Sequence, residues 1–168
     1  AAAGGLKELD AILLVRKRGL LMEHAVPAGE GAMCAVLGMT GEALERELKG
    51  MADVTIANYN CPGQMVITGK TEAVRAAAEH LKAVGAKRTI PLNVSGPFHS
   101  PFLQTAGEEL RKEIEKTKLH PLRIPYVANV TAEKVERREE IADLLSKGVS
   151  SPVKWQQTME YMIAEGVN

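Results

Sequence analysis

The chain has 168 residues, of which 45% are hydrophobic, and its 21 basic residues equal its 21 acidic residues in number. This length suffices to bury a core, the charge balance argues against a surface that follows a nucleic acid, and the apolar runs are far shorter than the roughly 20 residues of a membrane span. We therefore expect a protein that binds neither nucleic acid nor membrane. Cys34 and Cys61 form no CxxC pair and fit a reducing compartment, so a cytoplasmic location is expected.

The first predicted element is a helix over residues 6–25. Its apolar residues lie on nearly every side, which is typical of a helix buried in a larger protein, and Arg16, Lys17 and Arg18 interrupt the pattern. The three cations could form an exposed patch, but apolar residues one turn before and after Arg18 favour at least one that points inward. A buried guanidinium needs a carboxylate or a phosphate as its partner. Periodicity does not choose among the three.

Residues 29–94 show alternating strand and helix patterns. Thr40 is expected to cap the first of two helices, and a Pro-Gly-Gln turn joins the second and third strands. The predicted strands are 32–38, 53–60, 65–69 and 86–94, and the predicted helices are 40–50 and 71–85. This β-α-β-β-α-β order is typical of a ferredoxin-like unit. The simplest architecture is a ferredoxin-like segment inserted between two segments of an α/β domain.

Beyond this segment the pattern changes again, and Leu103, Ala106, Leu110 and Ile114 repeat at helical spacing. Ser100 is predicted to be the N-cap, and Pro101 the first residue, of a helix. A strand over 123–130, a short helix over 138–148 and a last helix started by Ser151 and Pro152 are predicted to follow. Because the chain opens without methionine and in mid-element, we expect an internal piece of a longer protein.

His99 lies just before the predicted helix start, between Gly-Pro-Phe and Ser-Pro. The positive end of a helix dipole disfavours imidazolium, so the ring is predicted to be neutral near pH 7, as a general base must be. A capping or packing histidine is the plainer alternative. The other histidines have neither the spacing nor the carboxylates of a metal site, so we expect no metal. Cys61 has no neighbour that would activate a thiol, which indicates a turn residue.

Five stretches of sequence identify a protein family more specifically than any of these patterns does alone. In chain order they are RKRGLLMEHAVPAGEGAMCAVLG, NYNCPGQMVITG, IPLNVSGPFHSPFL, NVT and SPVKWQQTMEYM. In this order and spacing the chain resembles the malonyl-CoA:acyl carrier protein transacylases over essentially all of its length. The resemblance implies an α/β fold in which residues 1–28 and 95–168 are part of an α/β-hydrolase-like large subdomain, and residues 29–94 are an inserted ferredoxin-like (βαββαβ) small subdomain.

The resemblance also implies a reaction. Malonyl-CoA is expected to acylate a serine, and the phosphopantetheine thiol of acyl carrier protein then collects the malonyl group for fatty acid biosynthesis. A monomer without a cofactor of its own is expected. The family's serine lies in a G-x-S-x-G motif that residues 1–168 do not contain, so the chain alone is expected to be inactive.

Four residues receive roles from the resemblance. His99 corresponds to the general base, and Arg18 to the arginine that binds the malonyl carboxylate. Phe98 is expected to fill the space that an α-methyl group would need. Gly148 stands where the family has glutamine, and its main-chain carbonyl is expected to orient the histidine.

Three alternatives remain open at this point. The chain could come from the acyltransferase domain of a polyketide synthase or from the transacylase of a malonate decarboxylase. It could also be a non-catalytic ferredoxin-like binding module, in which His99 and Arg18 are structural residues.

Overall fold

The computed structural model describes residues 1–167, so that only Asn168 of the predicted segment 95–168 lies outside the described residues. Two short 3₁₀ turns, Pro101–Leu103 and Arg138–Glu140, lead directly into helices. The helices are α1 (Glu8–Glu23), α2 (Gly41–Leu48), α3 (Thr71–Ala83), α4 (Gln104–Glu115), α5 (Ile141–Ser150) and α6 (Trp155–Ala164). The strands are β1 (Gly31–Leu37), β2 (Val54–Cys61), β3 (Gln64–Lys70), β4 (Arg88–Pro91), β5 (Tyr126–Ala128) and β6 (Glu133–Val135).

Strands β1 to β4 form an antiparallel sheet in the order β2-β3-β1-β4. Helix α2 connects β1 to β2 across β3, and α3 connects β3 to β4 across β1. The predicted β-α-β-β-α-β order is therefore confirmed. Both helices pack on one face of the sheet, where the largest fully buried side chains include Leu44, Ile67 and Leu81.

Local sequence signals determine where helix α2 begins and where strand β4 ends. Thr40 caps α2 as predicted, because its hydroxyl oxygen accepts a hydrogen bond of 3.2 Å from the Ala43 N–H. Strand β4 is shorter than the predicted 86–94. Pro91, its last residue, has no N–H to donate to a neighbouring strand, although Leu92 N–H still donates to Met33 O at 2.9 Å.

Helices α1, α4 and α5 surround a second apolar core that includes Met22, Leu110 and Val149. Only one side of α1 is covered by it. The opposite side is exposed, with relative accessibilities from 56% to 69% for Leu9, Ile12, Leu13 and Val15. Within the described residues no helix is long and apolar enough to cross a membrane.

The C-terminal part differs from the prediction in two places. The strand predicted over 123–130 is reduced to β5, which pairs with β6, a polar three-residue strand without a hydrophobic pattern to reveal it. Helix α6 begins at Trp155 instead of Ser151. Val153 is held extended against β2 instead, since its N–H donates to Ala57 O at 2.8 Å and its carbonyl accepts from Tyr59 N–H at 2.9 Å. These bonds join the two parts of the chain.

Candidate active site

His99 lies between β4 and the 3₁₀ turn in an uncommon backbone conformation. Its φ of 57° is left-handed, which costs a residue with a side chain about 1–2 kcal/mol. Ser100 is the N-cap and Pro101 the first residue of this turn, as predicted, but the Ser100 side chain makes no capping hydrogen bond. The buried Ser100 Oγ turns back and donates a hydrogen bond of 2.5 Å to Pro97 O.

The ring of His99 is held neutral by its surroundings. Burial lowers its pKa below the ordinary 6.5, and the positive charge of Arg18 lowers it further. The predicted direction is therefore confirmed, with causes other than the helix dipole. Nδ1 is buried and has no partner in good hydrogen-bond geometry among residues 1–167, so Nε2 is the nitrogen that a ligand can reach.

Two main-chain carbonyls, those of Ser151 and Gly148, face the ring and oppose the lowering of its pKa. Both lie at the C-terminal end of α5. The last carbonyls of a helix have no partner within the helix and are free to accept hydrogen bonds. The carbonyl of Gly148 was expected from the family resemblance, whereas that of Ser151 was not; its position at the end of a helix is the signal that could have revealed it.

Arg18 is the inward-pointing cation of the three that periodicity left open, as the family resemblance implied. Arg16 and Lys17 are exposed, whereas Arg18 is half-buried, and burial lowers its pKa. Among the ion pairs formed within residues 1–167, none includes Arg18. A partly desolvated guanidinium without a carboxylate is ready to bind one from a ligand.

Arg18, His99 and Gly148 line one cleft of about 430 Å³. Its other walls are mostly apolar, and they come from α1, α4, β5, α5 and the segment before α6; they include Leu14, Leu110, Ile114, Val127, Leu144 and Pro152. A largely apolar cleft with a few convergent polar groups is the usual form of a small-molecule site. This cleft presents a cation and a neutral imidazole to the same ligand.

Tyr126 and Asn129 also line the cleft, although neither was predicted as a site residue. Burial raises the pKa of Tyr126, as does the negative charge of Glu140. Its hydroxyl is buried and has no hydrogen-bond partner among residues 1–167. The NVT stretch, which begins at Asn129, was the sequence signal closest to these residues.

Phe98 is not among the described residues that line the cleft. Its ring packs between the core of α1, α4 and α5 and a small cluster on the other face of the sheet, formed by Met33, Ala57 and Val66. It therefore links the two parts of the chain. Its expected role beside the acyl group stays a prediction.

The remaining histidines are dispersed. His24 is exposed at the end of α1, with Nδ1 2.6 Å from Leu20 O, and His80 Nε2 lies 3.0 Å from Glu47 Oε2 between α2 and α3. Within the described part of the chain no three histidine, cysteine, aspartate or glutamate side chains are grouped as metal ligands would be. Cys61 is exposed at the end of β2.

A comparison with known protein families matches one of them, the acyl transferase domain, over residues 1–168. The chain belongs to the acyl transferase domain family. Because the match spans both parts of the chain, it disfavours the alternative of a free-standing ferredoxin-like binding module.

Relatives of this acyl transferase domain share more than a third of its residues. It is 44% identical to a malonyl CoA-acyl carrier protein transacylase of Bacillus subtilis over 99% of this chain and 54% of that protein. An acyl carrier protein S-malonyltransferase from Vibrio cholerae is 39% identical, with a TM-score of 0.95 over 98% of this chain and 55% of the other. The chain thus spans about half the length of the relatives it matches.

A third relative is a malonyl-transacylase solved in complex with a type II PKS acyl-carrier protein. It is 38% identical to this acyl transferase domain, with a TM-score of 0.94 over 98% of this chain and 54% of the other. The two structural matches establish a mixed α/β fold for the chain.

The lowered pKa of His99 predicts how the stability of the protein carrying this acyl transferase domain depends on pH. Below about 6.5, the ordinary histidine pKa, the unfolded chain takes up a proton that the folded ring resists. The free energy of unfolding therefore falls as the pH falls through this window. Urea unfolding of the full-length protein between about pH 7.5 and pH 5.5, one unit on either side of the ordinary histidine pKa, should show this loss.

The matched control is His99→Asn, because asparagine tolerates the left-handed conformation and does not titrate. This variant should lose less stability than the parent protein over the same window. Equal pH dependence of the two proteins would contradict the lowered pKa.

Proposed function

We propose that this chain is part of a malonyl-CoA:acyl carrier protein transacylase. The whole protein would transfer the malonyl group from malonyl-CoA to the phosphopantetheine thiol of acyl carrier protein in fatty acid biosynthesis. The observation that carries the proposal is the shared cleft, in which the unpaired cation Arg18 and the neutral ring of His99 meet. The 44% identity to the Bacillus subtilis transacylase supports the choice of substrate.

Arg18 would bind the free carboxylate of the malonyl group. A guanidinium grips a carboxylate through two parallel hydrogen bonds, and the apolar walls of the cleft strengthen the pair by excluding water. Acetyl-CoA lacks this carboxylate, so it would leave the half-buried cation unpaired. A site built around such a partner discriminates strongly against a substrate without it.

His99 would act as the general base through Nε2. Nε2 takes the proton from a serine that residues 1–168 do not contain, the serine oxygen attacks the thioester carbon, and the thiol of CoA leaves after the proton returns to its sulfur. In the second half-reaction Nε2 deprotonates the phosphopantetheine thiol. Attack of that sulfur on the ester carbon releases the serine, which recovers its proton.

The carbonyls of Gly148 and Ser151 would fix the tautomer of the histidine. An acceptor beside Nδ1 favours a proton on that nitrogen and leaves the lone pair on Nε2. Gly148 supplies this carbonyl without a side chain, so glycine can serve at the position where the family has glutamine. We also propose that Phe98, which directly precedes the base, limits the space beside the α-carbon of the acyl group.

The two parts of the chain fit the two subdomains expected of the family. We propose that residues 29–94 are the ferredoxin-like small subdomain and that residues 1–28 and 95–168 belong to the α/β-hydrolase-like large subdomain. The interleaved crossovers of the sheet support the first assignment, and the bonds of Val153 to β2 support close association of the two. The proposal includes a cytoplasmic monomer that uses no metal or other cofactor.

A second candidate is the supply of malonyl groups to a carrier protein of polyketide synthesis. The relative solved with a type II PKS acyl-carrier protein favours it. The chemistry at Arg18 and His99 would be the same, and the two candidates differ in the carrier protein that collects the acyl group.

The experiment that tests the proposal uses the full-length protein that contains this chain. Incubation with malonyl-CoA and holo acyl carrier protein should give malonyl carrier protein, detected by intact-protein mass spectrometry, and acetyl-CoA should give far less product. Residues 1–168 alone serve as the negative control, because they lack the G-x-S-x-G motif. Turnover by this segment alone, or a preference of the full-length protein for acetyl-CoA, would contradict the proposal.

A further inference from the structure

A short buried turn, residues 97–100, holds His99 from both sides. Ser100 is 0% exposed, and the hydrogen bond from its Oγ to Pro97 O closes the turn across Phe98 and His99. The next turn of the chain starts from the same residue, since Leu103 N–H donates to Ser100 O at 3.0 Å. The hydroxyl of Ser100 is thus committed to the backbone next to the candidate base.

Pro97 fastens the other end of this turn to the sheet. It is among the most deeply buried residues of the chain, and its ring lies directly over Gly31, the first residue of β1. A Cβ atom on Gly31 would come within 2.7 Å of the Pro97 nitrogen, so only glycine leaves room for the proline. Gly31 itself pairs with Lys70 of β3, which ties the turn to the rigid part of the fold.

We propose that Ser100, together with Pro97 and Gly31, forms a positioning device for the base. A left-handed conformation in a residue with a side chain persists only where the surroundings impose it, and this turn imposes it on His99. In this conformation the carbonyls at the end of α5 face the ring and Nδ1 is buried, which leaves Nε2 to the cleft. The inference rests on the proposed function, in which His99 is the base.

The test is Ser100→Ala in the full-length protein, with kcat and KM measured for malonyl-CoA over a range of pH. We expect kcat to fall about 10- to 100-fold, as misplacement of a catalytic group by about 1 Å does, with KM changed less than about twofold. The midpoint of the pH profile of kcat/KM should rise toward the ordinary histidine pKa as the ring leaves its buried place. Ser100→Cys keeps a weaker donor and should recover part of kcat.

Ser146→Ala is the matched control. Ser146 is also buried, at 7% exposed, and its Oγ donates to the carbonyl three residues earlier, that of Asp143, at 2.9 Å. It has no part in the turn, so its loss should lower the melting temperature without changing kcat or the pH profile.

The outcomes separate this inference from the proposed function. If His99→Ala abolishes transfer while Ser100→Ala and Ser146→Ala have the same kcat, the positioning role is wrong and the proposed function stands. If His99→Ala retains full transfer, the proposed function itself fails. Should Ser100→Ala not fold, Ser100→Cys decides: a kcat about threefold or more below the parent value supports the device, and an unchanged kcat with an unchanged pH profile overturns it.

Discussion

Replacement of His99 by alanine in the full-length protein is expected to lower the rate of malonyl transfer by about 10²–10⁴-fold, the usual contribution of a general base. The protein should remain folded, because the left-handed turn around position 99 is held by its neighbours Pro97 and Ser100. Stopped-flow release of CoA thiol, which reports acylation of the serine, measures the effect, and circular dichroism checks the fold.

Two controls sharpen this result. His99→Asn keeps a planar polar side chain that accepts the left-handed conformation but cannot take up a proton near pH 7, so it should be as inactive as His99→Ala. His24→Ala removes an exposed histidine at the end of α1 and should leave the rate unchanged. Transfer at the parent rate by His99→Asn would show that the ring is a packing residue, which is the alternative raised by the sequence.

Replacement of Arg18 by alanine is the second large effect. We expect kcat/KM for malonyl-CoA to fall by about two to three orders of magnitude, since removal of one member of a desolvated ion pair costs about 3–5 kcal/mol. The acetyl group has no free carboxylate that Arg18 could bind, so kcat/KM for acetyl-CoA should fall little. Steady-state kinetics with both thioesters measures the difference.

The neighbouring cations are matched controls for Arg18. Arg16→Ala and Lys17→Ala each remove one positive charge from an exposed position of the same helix, so they should preserve the preference for malonyl-CoA. Arg18→Lys keeps the charge but loses the planar fork, and it should fall between the parent protein and Arg18→Ala. A loss of preference shared equally by all three positions would indicate general electrostatic attraction instead of a specific clamp.

The part of the fold that was predictable from sequence is the part whose signals are local. The strands of the four-stranded sheet alternate or are continuously apolar, the helix cap and the turn lie where Thr40 and the Pro-Gly pair put them, and α2 and α3 each carry one apolar face. Strand β6 and the late start of α6 were not predictable in this way. Strand β6 is short and polar, so no hydrophobic pattern marks its pairing with β5. The start of α6 depends on the hydrogen bonds of Val153 to β2, a strand distant in sequence.

In the candidate site, too, local signals were predictable from sequence and features that depend on tertiary contacts were not. The residues around His99 showed an unusual local setting. Periodicity could not tell which of three cations pointed inward; the family resemblance indicated Arg18, and in the structure Arg16 and Lys17 are exposed while Arg18 is half-buried. The left-handed φ of His99 and the inward turn of the Ser100 hydroxyl also follow from tertiary contacts. Ser100 is the N-cap that the local signal predicted, but its hydroxyl bonds to Pro97 O instead of to the N–H groups of the turn.

The most direct test of the joint roles of Arg18 and His99 is the ratio of kcat/KM for malonyl-CoA to that for acetyl-CoA, measured in Arg18→Ala and His99→Ala. If Arg18 binds the carboxylate and His99 moves the proton, Arg18→Ala should lower this ratio by about two orders of magnitude or more. His99→Ala should slow both substrates alike and leave the ratio within about threefold of the parent value. An unchanged ratio in Arg18→Ala, or a collapse of the ratio in His99→Ala, would contradict this division of roles.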